Sequence, residues 1–283
     1  MDLENNSGNK PKGVLNFEEI GKIIAVIKDD GDDKKKSGKS KSPSNSGRNL
    51  YVADNKTATN EGVRHPEYDI ELPSNQRFQY CVDKNIERQI VYIAGASGSG
   101  KSYWCKQFLA EYHKVYPSRS IYMFSALDSD ITLDSLKYIE RVKITDELLN
   151  EDFKSEDFAD SLCIFDDCDA LSNKKLRKKI LEIQNTILTT GRHYNVSCLI
   201  NTHTPCAGFD TKLILNECHA CVIFPAGLGG RAKSYLLETY LGLDKLQIKK
   251  LKNIDSRSIC FIKGYPQVVL SEKGAYILTD IDK

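Results

Sequence analysis

A chain of 283 residues is long enough to bury a full core, as one large domain or two smaller ones. Its formal net charge of +1 gives no global attraction to nucleic acid or acidic membrane, so any basic surface must be local. No apolar run approaches the ~20 residues that span a bilayer, and the opening MDLENNSGNKPKG lacks the basic-then-apolar order of a secretory signal.

Residues 1–75 differ from the rest. Asp29 to Arg48 holds an acidic cluster, then lysines spaced by Ser and Gly, with no large apolar residue. Such a stretch buries too little surface to offset the entropy of ordering. We therefore expect 1–75 to be largely disordered or tail-like, with a basic linker at Lys34 to Lys41. Before that linker, Phe17, Ile20, Ile24 and Ile27 have the spacing of one side of a short helix.

From about Gln76 the pattern turns to strand and helix in alternation, and 76–283 reads as one domain. Gln89 to Ala94 reads as a buried strand, followed by a glycine loop and a helix from Lys101 to Tyr116. Further strands are expected at Ile121 to Phe124, Ser161 to Phe165, Val196 to Ile200 and Ala220 to Phe224. Leu176, Ile180, Ile183 and Ile187 mark a helix between two of them. The tail RSICFIKGYPQVVLSEKGAYIL suggests hairpin-connected strands with Gly and Pro at the turn. This alternation predicts an α/β fold with a mostly parallel sheet flanked by helices and a C-terminal β-hairpin. The nine cysteines sit mostly inside apolar runs, as buried reduced thiols do. Cys218-His219-Ala220-Cys221 has zinc-like spacing, but no second pair accompanies it, and ordinary strand cysteines are expected.

Gly95-Ala96-Ser97-Gly98-Ser99-Gly100-Lys101-Ser102 matches G-x-x-x-x-G-K-[ST] in full, after a strand and opening a helix. Its backbone N–H groups would curl around phosphate oxygens at a helix N-terminus. Lys101 would reach the β- and γ-phosphates, and the Ser102 hydroxyl would hold Mg²⁺. Leu162 to Asp167 (LCIFDD) supplies carboxylates at the C-terminal end of an apolar strand, where α/β sheets bind ligands. Asp166 is the candidate second metal ligand, and Asp167 would orient or deprotonate the attacking water. Helix capping would also use such acids, but capping does not require two at a buried strand's end.

If the chain hydrolyses a nucleoside triphosphate, a strand with a polar tip can sit between the two motif strands and face the γ-phosphate. Asn201, Thr202 and His203 end the run SCLI in this way, with His203 the first candidate sensor. An arginine reaching into a neighbouring subunit's site would raise the rate. Arg192 is the first candidate and Arg231 the second, although a lone arginine after a helix also answers the macrodipole.

The phosphate loop, Phe-Asp-Asp, Thr-Gly-Arg-His before an apolar strand with a polar end, and VIFPAG occur here in order. Together they resemble the virion DNA-packaging ATPases of large nucleocytoplasmic DNA viruses, within the FtsK–HerA group of P-loop NTPases. The likeness covers roughly Arg88 to Leu278. It implies an additional-strand, RecA/FtsK-like core, ATP and Mg²⁺ as cofactors, and ATP hydrolysis coupled to packaging double-stranded DNA into a capsid. It further implies a homo-oligomeric ring, capsid or portal partners, and action at the viral assembly site in the host cytoplasm and in the virion. It supports Lys101, Ser102 and Asp166 in the roles above and Arg192 as the trans finger. His203 stands where relatives usually have glutamine, and Asp167 replaces a commoner glutamate.

Lys174-Lys175-Leu176-Arg177-Lys178-Lys179 places five positive charges on one helix, and Lys249, Lys250 and Lys252 form a second cluster. Charge runs are usually solvated faces, but arrayed around a ring they would track phosphates without reading bases. Two other classes share the phosphate loop: a small-molecule kinase, and a nucleotide-dependent switch without turnover.

Overall fold

The computed structural model describes residues 12–30 and 46–278, in two compact units: the described residues up to Tyr80 together with those from Gly264 onward, and Cys81–Lys263. In the first unit, β1 (Gly13–Asn16), β2 (Lys22–Asp29) and β3 (Asn49–Asp54) precede α1 (Asn55–Glu61), β4 (Asp69–Glu71) and β5 (Gln76–Tyr80). Four of these strands form an antiparallel sheet in the order β1, β3, β2, β5. The expectation that 1–75 is largely disordered is therefore corrected for the described residues.

The expected helix through Ile20, Ile24 and Ile27 is corrected too. Ile24, Ala25, Val26 and Ile27 are consecutive buried residues of β2. The β-branched run IIAVI favours a strand covered on both faces, and the helical spacing of its isoleucines is incidental. The Asp54 carboxylate caps α1 by accepting from the Thr57 N–H at 2.8 Å. The lysine run from Lys34 to Lys41 lies outside the described residues.

The second unit holds β6 (Ile90–Ala94), α2 (Lys101–Val115), β7 (Ser120–Ser125), β8 (Ile139–Val142) and β9 (Ser161–Asp166). After these come α3 (Lys174–Thr190), β10 (Ser197–Thr202), α4 (Phe209–Glu217), β11 (Ala220–Ile223), α5 (Gly230–Tyr235), α6 (Lys245–Lys252) and β12 (Ile259–Ile262). Across the sheet the order is β12, β11, β6, β10, β9, β7, β8. All neighbours are parallel except β11 and β12. Every residue of β6, β9, β10 and β11 is buried, which is why these strands read as continuous apolar runs rather than alternating ones.

Helix α2 covers one face of this sheet. Trp104, Phe108, Tyr112 and Tyr116 recur every four residues and form a ladder of rings along it. Burial of Phe108 alone contributes about 1.5–3 kcal/mol. The Tyr112 hydroxyl reaches Ser197 Oγ at the start of β10, 3.3 Å away. Helices α3 and α4 cover the other face and leave a cavity of about 280 Å³ lined by Tyr92, Phe165, Gln184, Ile200 and Ile214.

The last strands, β13 (Val268–Ser271) and β14 (Gly274–Ile277), form an antiparallel C-terminal hairpin that turns at Glu272 and Lys273 rather than at the glycine and proline before β13. They belong to the first unit, where β14 pairs with β4. The expected boundary at 75/76 thus becomes a discontinuous first unit enclosing residues 81–263 in sequence. No helix among the described residues is long and apolar enough to cross a membrane.

Candidate active site

Strand β10 lies between β6 and β9, the position expected for the strand with the polar tip. Its register sets the site. Asn201 is level with Asp166 on β9, and Asp166 is level with Ser125 on β7. Residues in one row of a sheet point to the same face, so three polar side chains meet at the edge where these strands end. Asn201 Nδ2 donates to Asp166 Oδ1 at 2.6 Å, and Ser125 Oγ donates to Asp166 Oδ2 at 3.0 Å. Burial raises the Asp166 carboxyl pKa, while these two hydrogen bonds pull it back down.

The glycine loop turns out of β6 at the same edge. Gly98 and Gly100 have φ of 71° and 112°, left-handed values that side-chain-bearing residues rarely adopt. Gly95 is required by packing, since a Cβ there would stand 2.8 Å from Phe224 Cβ. A Cβ on Gly227 would lie 2.5 Å from Ala96 Cβ, so the VIFPAG segment backs the loop directly. Ser97 and Gly98 are exposed at its tip, Ser99 is half-buried, and Ser102 sits half-buried in the first turn of α2.

Lys101, only 6% exposed, is the hub of the site. Its ammonium donates to Gly95 O at 2.9 Å, lies 3.2 Å from His203 Nδ1 and stands 3.8 Å from Asp167 Oδ1. An ammonium can only donate, so His203 Nδ1 accepts, and Nε2–H is left to face Asp167 Oδ2 at 3.0 Å. Asp167 is held at φ 49°, a left-handed conformation costing a non-glycine residue about 1–2 kcal/mol. Burial is the main influence raising its carboxyl pKa, and Lys101 opposes it.

Three buried polar atoms near this edge have no hydrogen-bond partner: Ser99 Oγ, Asp167 Oδ1 and Asn201 Oδ1. Orphaned atoms of this kind are rare in a folded protein and mark places where ligand or solvent atoms are needed. Among the described residues no group of three His, Cys, Asp or Glu side chains could hold a metal ion. The donor set present, one serine hydroxyl and one or two buried carboxylates, suits Mg²⁺. That ion takes most of its ligands from phosphate and water.

The structure brings Lys101, Asp166, Asp167 and His203 together with the loop. It does not bring Arg192 to them. Arg192 lies in the turn Gly191–Tyr194 that precedes β10, at the edge where the parallel strands begin. There its Nε reaches Glu87 Oε2 at 3.2 Å, with both side chains exposed. Beside it Arg88, buried, donates to the carbonyls of Ile187 and Leu188 and caps the end of α3. Arg231 is exposed on α5. Thr202 faces the other side of the sheet, where its hydroxyl donates to Asp169 Oδ2 at 2.7 Å. The N-cap of α3 is Asn173, whose side chain accepts from the Lys175 and Leu176 N–H groups. The imidazole of His219, from the Cys-His-Ala-Cys stretch, accepts from the Ile90 N–H at 3.0 Å.

Sequence reasoning missed Ser125, whose signal was the polar end of the run IYMFS, and Arg257. A Cβ placed on Gly100 would meet Arg257 Nε at 3.5 Å. No motif surrounds that arginine.

No protein-family model matches the chain. It is 42% identical over 194 residues to the uncharacterized protein V3 of the Sputnik virophage, a match spanning 68% of this chain and 78% of V3. Among solved structures it is similar to the genome packaging NTPase B204 of Sulfolobus turreted icosahedral virus 2 in complex with AMP. That likeness has 13% identity and a TM-score of 0.42, over 70% of this chain and 98% of B204. It is also similar to the cytoplasmic domain of the Thermomonospora curvata type VII secretion ATPase EccC, at 11% identity and a TM-score of 0.49, over 76% of this chain and 29% of that one. At such scores these likenesses assign no activity. The loop motif, the sheet order and the relative of known sequence together have one consequence: this P-loop NTPase belongs to the family of the Sputnik virophage V3 protein.

Proposed function

We propose that the chain is an ATP-hydrolysing translocase that packages viral double-stranded DNA into a capsid, working as a homo-oligomeric ring. The observation that carries this reading is the meeting of Lys101, His203 and Asp167 beside a glycine loop. A cation for the phosphates, a polar sensor and a carboxylate for the water converge on one point.

The loop N–H groups and the α2 N-terminus bind phosphate oxygens, and Lys101 turns its donors to the β- and γ-phosphates. Ser102 and Asp166 would hold Mg²⁺, which supplies charge neutralisation between those phosphates when bound. Ser125 and Asn201 keep Asp166 in one orientation. Asp167 orients or deprotonates the attacking water, and His203, hydrogen-bonded to both Lys101 and Asp167, reports on the γ-phosphate. Arg192, too far round the sheet to serve its own subunit, reaches the site of a neighbour. Trans arginines of this kind supply about 10³–10⁵ in rate.

DNA contact falls to the start of α3. Lys174, Lys175, Arg177 and Lys178 are exposed there, and the first turn carries no acid. Positive charge at a helix N-terminus opposes the macrodipole, so this placement is unfavourable for the helix alone. Phosphate neutralisation gives it a use. The lysines of α6 lie in its last turn, where the dipole favours them, and solvation accounts for those.

The test is ATP turnover with and without linear duplex DNA, alongside the mass of the protein in solution. We expect turnover that depends on assembly and rises with duplex DNA. A monomer indifferent to DNA that phosphorylates a small molecule would replace the motor with a kinase. Tight ATP binding without hydrolysis would make the chain a switch.

A further inference from the structure

Arg257 stands in the loop before β12, outside every motif. The topology explains how it reaches the site. Strand β11 runs parallel to β6, with Ile223 level with Ala94, and β12 runs antiparallel to β11, with Ile259 level with Ile223. The only antiparallel strand of this unit therefore begins at the edge where β6 ends. The residues just before Ile259 emerge beside the glycine loop.

The local geometry agrees. A Cβ on Gly100 would lie 3.5 Å from Arg257 Nε and 3.6 Å from its Cζ, and 3.4 Å from Phe224 Cε1. The guanidinium thus lies against the last loop residue before α2, next to the N–H groups that face phosphate. Arg257 is exposed. Among the described residues no carboxylate forms an ion pair with it. An arginine beside an anion cradle, with its five donors uncommitted to an acid, has the chemistry to bind phosphate in a fork.

Its direction of approach sets which phosphate. Asp167 and His203 come from β9 and β10, on one side of β6, and mark the γ-phosphate end through Lys101. Arg257 comes from the opposite side, by way of β11 and β12. We propose that Arg257 binds the α- and β-phosphates of the nucleotide held by its own subunit, an inference that rests on the nucleotide-binding reading above. The site then has two arginines of separate origin: Arg257 holds the diphosphate in cis, and Arg192 answers the γ-phosphate from the neighbour.

Calorimetric titration of the full chain with ATP, ADP and inorganic pyrophosphate tests this, using wild type, Lys101→Ala, Arg257→Ala and Arg257→Lys. Arg257→Ala should weaken all three ligands by about tenfold or more, with Arg257→Lys recovering part of the loss and both variants melting as wild type. Unchanged ADP affinity overturns the proposal. So does a loss confined to ATP, which would place Arg257 at the γ-phosphate. A loss for both nucleotides but not pyrophosphate overturns it too, because Arg257 would then hold the base or sugar. Failure of the underlying reading looks different: wild type and Lys101→Ala would bind the nucleotides equally.

Discussion

At the edge where β6, β9 and β10 end, the charged side chains are buried and held by one another. Lys101 has a carbonyl, an imidazole and a carboxylate around its ammonium, and Asp166 is fixed by hydrogen bonds from Ser125 and Asn201. At the edge where the same strands begin, Arg192 stands in solvent with Glu87 as its partner, a surface pair that water and salt screen. On the proposed function, the contrast separates two kinds of catalytic group. A residue that acts within its own subunit must be pre-positioned, and burial supplies that. One that acts on a neighbour must protrude, and can be ordered only when the neighbour arrives.

The largest effect expected from this contrast is at the protruding edge. Arg192→Ala should lower turnover by about 10³-fold or more, with ATP affinity within about twofold of wild type. In mixtures with wild type, activity should fall out of proportion to the mutant fraction; a simple linear dilution would remove Arg192 from any role in trans. At the buried edge, Lys101→Ala removes charge-assisted hydrogen bonds and should weaken ATP by roughly 10- to 100-fold. Binding at wild-type strength would discard the loop as the phosphate site.

Asn201→Ala sharpens the comparison, because Asn201 holds the Asp166 carboxylate from the neighbouring strand. It leaves one oxygen of a buried carboxylate without its donor, and should lower stability in urea unfolding by about 1–3 kcal/mol. An unchanged midpoint would show that Asp166 needs no support from β10. The smallest effect is expected on α3. Charge reversal at Lys174, Lys175 and Lys178 should lower the salt dependence of DNA stimulation by about three units of slope. It should leave thermal stability equal or slightly higher, because the reversed charges agree with the helix dipole. Stimulation that keeps its full salt slope would move the DNA contact to another surface.

How far the sequence could be read depended on the range over which each feature is encoded. The glycine loop, the Asp166 strand and the polar tip at Asn201 to His203 are contiguous motifs, and the placing of β10 between β6 and β9 agreed with expectation. Ser125 and Arg257 join the site only through strand register and an antiparallel edge strand, which no local pattern reveals. The N-terminal unit was misread for a compositional reason. The polar stretch from Asp29 to Arg48 coloured the reading of its neighbours, although IIAVI before it and NLYVAD after it are strong strand formers. The return of β13 and β14 to that unit is a long-range pairing, and the hairpin itself was the local part that could be read.

The most direct test of the proposed site is a structure of the assembled protein with Mg²⁺ and a non-hydrolysable ATP analogue. We expect the triphosphate along Gly95 to Ser102, the metal between Ser102 and Asp166, and a neighbour's Arg192 at the γ-phosphate. An analogue seated elsewhere, such as the cavity between α3 and α4, or a metal touching neither Ser102 nor Asp166, would contradict it.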